Sequence, residues 1–370
     1  MGRDSEVFKP FGFDRILFFT TLILVSIGIV MVFSSSGILS SEKFGHPFHY
    51  ILHQLIGAGL GISIILIMFK VNTPFYSNRI LVYGLLFLTI GLLFLCLIMP
   101  SYGSTDRWIQ VFNLRFQPSE LAKISLILFL AYFLDKKKEK INHPLNLAAP
   151  LIAIFIILVL ILMEPDYSTA IIVFLLSSIM LFLGGVKLRY FIVPGIISAG
   201  LFSFYLIQAP YRLQRITAFL SPEKDPLGSG FHIIQSKLAV GSGGIFRLNI
   251  GESIQKLFFL PAAHTDYIYA IVGEELGFLG ALTVIFLFAI FLWRGLLISR
   301  RAPNLFSQVA AAGITLAIFI QAMVNISVVL GMGPPTGLPL PMISYGRSSL
   351  ITTLFAVGIL LHISQRRKAR

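Results

Sequence analysis

Acidic side chains are scarce in this 370-residue chain, 16 in all, and they fall into small groups. The one best placed for chemistry is Asp266. It ends a proline-broken loop, Phe258-Phe259-Leu260-Pro261-Ala262-Ala263-His264-Thr265-Asp266, that runs into a long apolar stretch from Tyr267 to Trp293. A carboxylate at the end of such a stretch is costly unless it is solvated, paired or used. Thr265 and Asp266 suit a helix cap. The same carboxylate suits a general base, which must take a proton from an attacking hydroxyl. Beside a helix N-terminus the anion is favoured, so the expected pKa is depressed. Glu274 and Glu275 follow on the same predicted helix, about 12 to 14 Å deeper at 1.5 Å per residue.

Four further clusters could serve an anionic substrate. In the first, Arg107-Trp108-Ile109 precedes Phe116-Gln117-Pro118-Ser119-Glu120-Leu121-Ala122-Lys123. Pro118 opens a helix, and Glu120 and Lys123 share one of its faces. This reads either as a capped helix with a local ion pair and an interfacial Trp, or as two cations, Arg107 and Lys123, at a headgroup. The second is the acidic turn Glu164-Pro165-Asp166. The third sets Lys237 before Gly241-Ser242-Gly243-Gly244, where backbone amides can nest an anion. The fourth runs from Gly333 to Ser349, with Pro334, Pro335, Pro339 and Pro341 followed by Ser344, Ser348 and Ser349. Such backbone cannot continue a helix and belongs against protein or a water-filled cavity. The two serines at its end also suit a cap.

The elements that must carry these groups are membrane helices. The chain is 56% hydrophobic and 12% charged, with a mean hydropathy of +0.87. Its apolar runs have spanning length and lack the ten-residue alternation of a membrane barrel. Spans are expected near 14–34, 50–69, 78–99, 119–134, 147–163, 169–185, 190–207, 267–295, 305–330 and 347–364. The fold is therefore an all-α polytopic membrane protein of ten transmembrane helices, a single domain over 1–370. A large extracytoplasmic loop, 208–265, separates helices seven and eight. The single cysteine, Cys96, excludes a disulfide framework. The formal net charge of +13 has a topological reading. One side of the membrane collects 18 of the 29 Lys and Arg but only 5 of the acids. By the positive-inside rule that side is cytoplasmic, with the segments 1–13 and 365–370. Basic runs such as Lys136-Lys137-Lys138 then read as lipid anchors, and nucleic acid is excluded as a partner.

Taken together, Arg107-Trp108-Ile109, Phe116 to Glu120, Glu164-Pro165-Asp166, Gly241 to Gly244, the loop ending in Asp266, Gly273-Glu274-Glu275-Leu276-Gly277 and Pro335 to Ser349 resemble the SEDS family of peptidoglycan glycosyltransferases. Ser253-Ile254-Gln255-Lys256 and the Glu274-Glu275 pair look more like the FtsW branch than the RodA branch. The resemblance implies polymerisation of lipid II at the outer face of the cytoplasmic (inner) membrane during septal synthesis, with Asp266 catalytic. Arg107, Lys123, Lys237, Arg212 and Arg215 are then candidates for the pyrophosphate. Trp108, Glu120, Glu164, Asp166, His264, Thr265, Glu274, Glu275, Ser344, Ser348 and Ser349 are supporting. It also implies a divalent cation, Mg or Mn, with no ligand set legible in the sequence. The implied partners are lipid II, a class B penicillin-binding transpeptidase and divisome membrane proteins. Two other readings stay open, a lipid II flippase and a non-catalytic scaffold for a transpeptidase. The chain departs from the family pattern at Arg347, where a glycine is usual.

Overall fold

The computed structural model describes residues 12–71, 75–99, 107–111, 114–208, 210–228, 230–246, 251, 253, 255, 260 and 262–366, apart from the side chains of 111, 114, 115, 193, 201, 202, 205–208 and 210–213. Twelve α-helices lie among them: α1 Arg15–Phe44, α2 His49–Lys70, α3 Arg79–Ile98, α4 Pro118–Lys137, α5 Pro144–Met163, α6 Tyr167–Leu183, α7 Arg189–Gln208, α8 Pro210–Leu220, α9 Phe231–Ser242, α10 Ile268–Arg300, α11 Leu305–Val329 and α12 Arg347–Ser364.

Local chemistry sets the starts. Asp14, Asn78, Asp166 and Asn304 cap α1, α3, α6 and α11 through their side chains, and Pro118 and Pro144 open α4 and α5. Seven of the described helices are long and apolar enough to cross a membrane: α1, α2, α3, α5, α10, α11 and α12. α6 is apolar but shorter. Ten of the twelve helices lie where spans are expected. The other two, α8 and α9, fall inside 208–265, so that segment is partly helical.

The helices sort into an inner and an outer set. α4 is buried on every face, as are long stretches of α11 and α12, which marks them as the centre. α2 and α3 keep broad apolar faces exposed, including Ile67, Ile80 and Phe87. In α7 none of the described residues is buried.

Three features depart from the expected layout. A short antiparallel hairpin, β1 Ile109–Val111 with β2 Leu114–Phe116, lies between Trp108 and α4. The caps expected from Thr265-Asp266 and Ser348-Ser349 are absent, because α10 starts from Tyr267 and α12 from Gly346, without side-chain caps. Most consequentially, α10 is broken at Gly277, whose φ of 70° and ψ of −171° suit glycine. The amide of Phe278 there donates to the Gly244 carbonyl at 2.9 Å, so a loop residue satisfies a group the helix leaves open.

Candidate active site

The loop that carries Asp266 packs against the proline-rich segment between α11 and α12. Two amides on one face of α11, Gln321 and Asn325, hold that segment from below. Gln321 Nε2 donates to the Pro339 carbonyl at 3.0 Å. Asn325 Nδ2 donates to the Leu338 carbonyl at 2.7 Å and to the main-chain carbonyl of Asp266 at 2.8 Å. From the sides, the Ser168 hydroxyl donates to the Thr336 carbonyl at 2.9 Å and Gln54 Nε2 to that of Ser344 at 3.2 Å. The Ser344 hydroxyl donates to the Thr265 carbonyl at 2.5 Å and receives the Leu340 amide at 2.8 Å. The Tyr345 amide donates to the His264 carbonyl at 2.9 Å. Irregular backbone at this depth is thus satisfied by protein. Ala262 and Met342, one in each segment, hold left-handed φ angles of 57° and 65°. Such residues persist where their surroundings over-determine them.

Between the two segments lies a cavity of about 310 Å³, walled by Asp266, Tyr267, Gly337, Arg215, His232 and Asn325 among others. Asp266 is half-buried in it. Burial pushes its carboxyl from an ordinary 3.8 up to about 6, although Arg215, Arg107 and the Thr265 hydroxyl pull the other way. The expected depression is therefore reversed. Asp266 stands before the first turn of α10, outside its cap, and desolvation outweighs the helix terminus and both cations. Gly337 faces it: a Cβ there would lie 3.7 Å from Asp266 Oδ2, on backbone with φ of 70°.

The five candidate cations separate. Arg215 lines the cavity and reaches the Pro335 carbonyl at 3.5 Å. Arg107 acts on Asp266 from a distance, because its guanidinium is engaged by the acidic turn: Nε donates to the Glu164 carbonyl at 3.1 Å, Nη2 donates to the Pro165 carbonyl, and Nη1 stands 3.9 Å from Asp166 Oδ1. Lys123 lies elsewhere. It is buried, bonded to Glu120 at 3.0 Å and to Gln321 at 2.5 Å. Glu120 also accepts from Ser349 at 3.5 Å. Because α4 is central, the Glu120–Lys123 pair is an internal clasp whose charges answer each other. Lys237 is exposed on α9 and its Cε occupies the space a Cβ on Gly331 would take, away from the cavity walls. The side chain of Arg212 lies outside the described residues.

The supporting residues mostly hold the frame. Asp166 caps α6 through the Thr169 amide and hydroxyl, at 3.2 and 2.9 Å. Glu164 is fully buried, and neither of its carboxyl oxygens has a hydrogen-bond partner among the described residues. Burial first, and Asp166 second, raise it to about 8. Glu274 accepts from the Ser253 hydroxyl at 2.5 Å, and Glu275 from Ser34 of α1 at 2.6 Å. They stand just before the Gly277 break and tie α10 to two different neighbours. His264 lies against Tyr50 and Tyr345, and burial lowers its pKa to about 4. Trp108 is exposed beside the hairpin. The Ser348 carbonyl accepts from Thr352, a role internal to α12. Arg347 packs its side chain over Gly57 of α2.

Two residues of the site carry little signal in the sequence. Asn325 is a primary amide inside an apolar run, four residues after Gln321, and polar groups at that depth call for a partner. His232, stacked on Tyr267 with ring centroids 5.8 Å apart, has no neighbours in the sequence that point to the site. Among the described residues no three His, Cys, Asp or Glu side chains come together as a metal cage.

Residues 14–369 match the family model for FtsW, RodA and SpoVE, described as a cell cycle protein. The chain belongs to this family. It is 41% identical over 357 residues to stage V sporulation protein E of Bacillus subtilis (strain 168), covering 95% of this chain and 97% of that one. It is 40% identical over 364 residues to a probable peptidoglycan glycosyltransferase FtsW of Trichlorobacter lovleyi, covering 96% and 95%. Among solved structures it is similar to a chain of a peptidoglycan synthase complex, with TM-score 0.77, 29% identity and coverage of 97% and 99%. It is also similar to Thermus thermophilus RodA, with TM-score 0.70, 27% identity and coverage of 97% and 98%. The FtsW branch is thus matched by name, and the helical SEDS fold by structure.

Proposed function

We propose that the chain is a peptidoglycan glycosyltransferase that polymerises lipid II, with Asp266 as the general base. The observation that carries this reading is a carboxylate, held at about 6 by burial, in a small cavity that also presents a guanidinium. Polymerisation joins a sugar hydroxyl to the anomeric carbon of a second unit. A C–O bond forms there, the bond to lipid pyrophosphate breaks, and the hydroxyl proton must leave. Asp266 accepts that proton, and its raised pKa makes it a stronger base than an ordinary carboxylate while leaving it ionised at neutral pH. Arg215 faces the departing charge. Arg107 adds a longer-range field and chiefly fixes the acidic turn. Lys237, exposed midway along α9, is left for the outer part of the headgroup.

The family resemblance implies a divalent cation of the Mg kind, which binds through one or two carboxylates plus substrate phosphates and water. Substrate phosphates would supply most of its ligands, and the cation would neutralise pyrophosphate charge while leaving the Asp266 carboxylate to take the proton. Ten spans rest on the apolar runs, and cytoplasmic termini with an extracytoplasmic 208–265 segment rest on the charge asymmetry. The relatives named FtsW support a septal role in the inner membrane. The similar synthase complex is described as coordinating polymerization with crosslinking, which supports a crosslinking class B penicillin-binding transpeptidase as partner; divisome membrane proteins rest on the family resemblance alone.

Purified protein given lipid II and Mg or Mn should make glycan strands. Asp266→Asn should fold and polymerise more slowly by about 10²–10⁴-fold. Full polymerisation by that variant removes Asp266 from the reaction, and lipid II translocation without polymerisation by the unaltered protein would favour a flippase.

A further inference from the structure

α7 stands off the bundle. Among its described residues none is buried, and between it and the α5–α6 pair lies a cavity of about 830 Å³, by far larger than the one at Asp266. Its walls are apolar side chains, Leu151, Phe155 and Leu158 from α5, Phe174 from α6 and Phe191 from α7 among them. Such a space in a membrane is filled by something, since water gains nothing from these walls. Ser177 interrupts them. It is among the lining residues and is buried at 2% exposure, and its hydroxyl has no hydrogen-bond partner among the described residues.

One end of the cavity is basic. Its lining there reaches the region where α5 begins at Pro144, α6 ends at Leu183 and α7 begins at Arg189, all at one end of the bundle. Arg189 and Tyr190 line it, with exposed Lys187 adjoining. The guanidinium stacks 4.9 Å from the Tyr190 ring centroid. The Tyr190 hydroxyl donates to the Asn142 carbonyl at 2.6 Å, and Asn142 Oδ1 accepts the Lys187 amide at 2.9 Å. The loops before α5 and before α7 are thereby locked together, which fixes the cations at the rim. Given the proposed orientation, this end faces the cytoplasmic leaflet.

The geometry points to a binding site for an anionic phospholipid of the cytoplasmic leaflet, its phosphate at Arg189 and Lys187 and an acyl chain between α7 and the α5–α6 pair. The tail takes up the apolar space, the head supplies the charge that the rim lacks, and the ester region comes near Ser177. The lipid would complete the packing of α7, which carries the chain toward α8 and Arg215 in the wall of the Asp266 cavity.

Native mass spectrometry of the full chain, transferred into nanodiscs of phosphatidylcholine with increasing phosphatidylglycerol, tests this. Retained phosphatidylglycerol and a rise in Tm with its fraction are expected. Arg189→Gln should weaken phosphatidylglycerol retention about fivefold and leave phosphatidylcholine unchanged. Ala148→Trp, which fills the groove from an exposed wall position, should displace both lipids while the protein remains monodisperse. Equal retention of the two lipids, indifference to both substitutions, or preferential uptake of undecaprenyl phosphate over phosphatidylglycerol would each overturn the assignment. Because the readout is lipid retention, its failure leaves the glycosyltransferase reading intact, and loss of polymerisation in Asp266→Asn leaves this one intact.

Discussion

One amide holds both walls of the cavity: Asn325 Nδ2 lies 2.8 Å from the carbonyl oxygen of Asp266 and 2.7 Å from that of Leu338. The distance between the loop that bears the base and the loop that faces it is therefore set by a side chain of α11. Asn325→Leu removes two hydrogen bonds worth about 1 kcal/mol each and leaves two buried carbonyls to find other donors. Polymerisation should fall by one to two orders of magnitude with a loss of about 1–3 kcal/mol in stability, read from glycan assays and thermal unfolding in the same detergent. A variant that keeps its rate while losing the stability would show that the spacing is not catalytic.

Asp266 should show a conflict between stability and activity. Its pKa in the fold, about 6, lies above the ordinary 3.8. The group therefore favours the folded state fully only below about 3.8, and that contribution is lost as pH rises through about 6. At pH 8 the buried carboxylate is a cost, so Asp266→Asn should raise Tm while lowering polymerisation by about 10²–10⁴-fold, the usual worth of a general base. For the unaltered protein, activity should drop as pH falls through about 6. A flat profile from pH 5 to 8 would contradict the assigned base.

Glu164 obeys the same sign with a wider window. Its carboxyl, at about 8 against an ordinary 4.5, is neutral at pH 7 in the fold. The stability it contributes is complete below about 4.5 and lost as pH rises through about 8. Glu164→Gln keeps the neutral form. It should leave activity at pH 7 within a few-fold and flatten the decline in Tm between pH 7 and 9, as differential scanning fluorimetry would report. A large loss of activity at pH 7 would mean that the ionised acid is required.

Lys123 should behave as structure. Removing its charge by Lys123→Met strands Glu120 at 4% exposure, and breaking a buried pair typically costs about 3–5 kcal/mol. The double variant Lys123→Met/Glu120→Leu should recover much of that, which a thermal double-mutant cycle measures. If lipid II binding weakens in the double variant as strongly as in the single, Lys123 has a substrate role after all.

How much could be read in advance differs from residue to residue. Asp266 was legible because an acid beside an apolar span has few reasons to exist. The spans themselves were legible because the bilayer imposes their length and backbone satisfaction on the sequence directly. Asn325 was hidden by its neighbours: an amide in a 25-residue apolar helix carries no local sign of which carbonyl it serves. The hairpin of Ile109 to Phe116 was equally quiet, with two strands of 3 residues each.

The sequence by itself determined the class of protein, its helices, the asymmetry of charge and the carboxylate on which the chemistry rests, since each depends on composition or on residues near one another in the chain. Tertiary structure alone decided which cation meets that carboxylate. Lys123 and Arg215 are equal as charges in a list of residues, but α4 is central and α8 lies over the cavity, so one cation is spent on Glu120 and the other faces Asp266. It also decided the sign of the Asp266 shift. A helix terminus is a short-range, local influence, whereas desolvation is the sum of everything that packs around the group, and that sum exists only once the chain is folded.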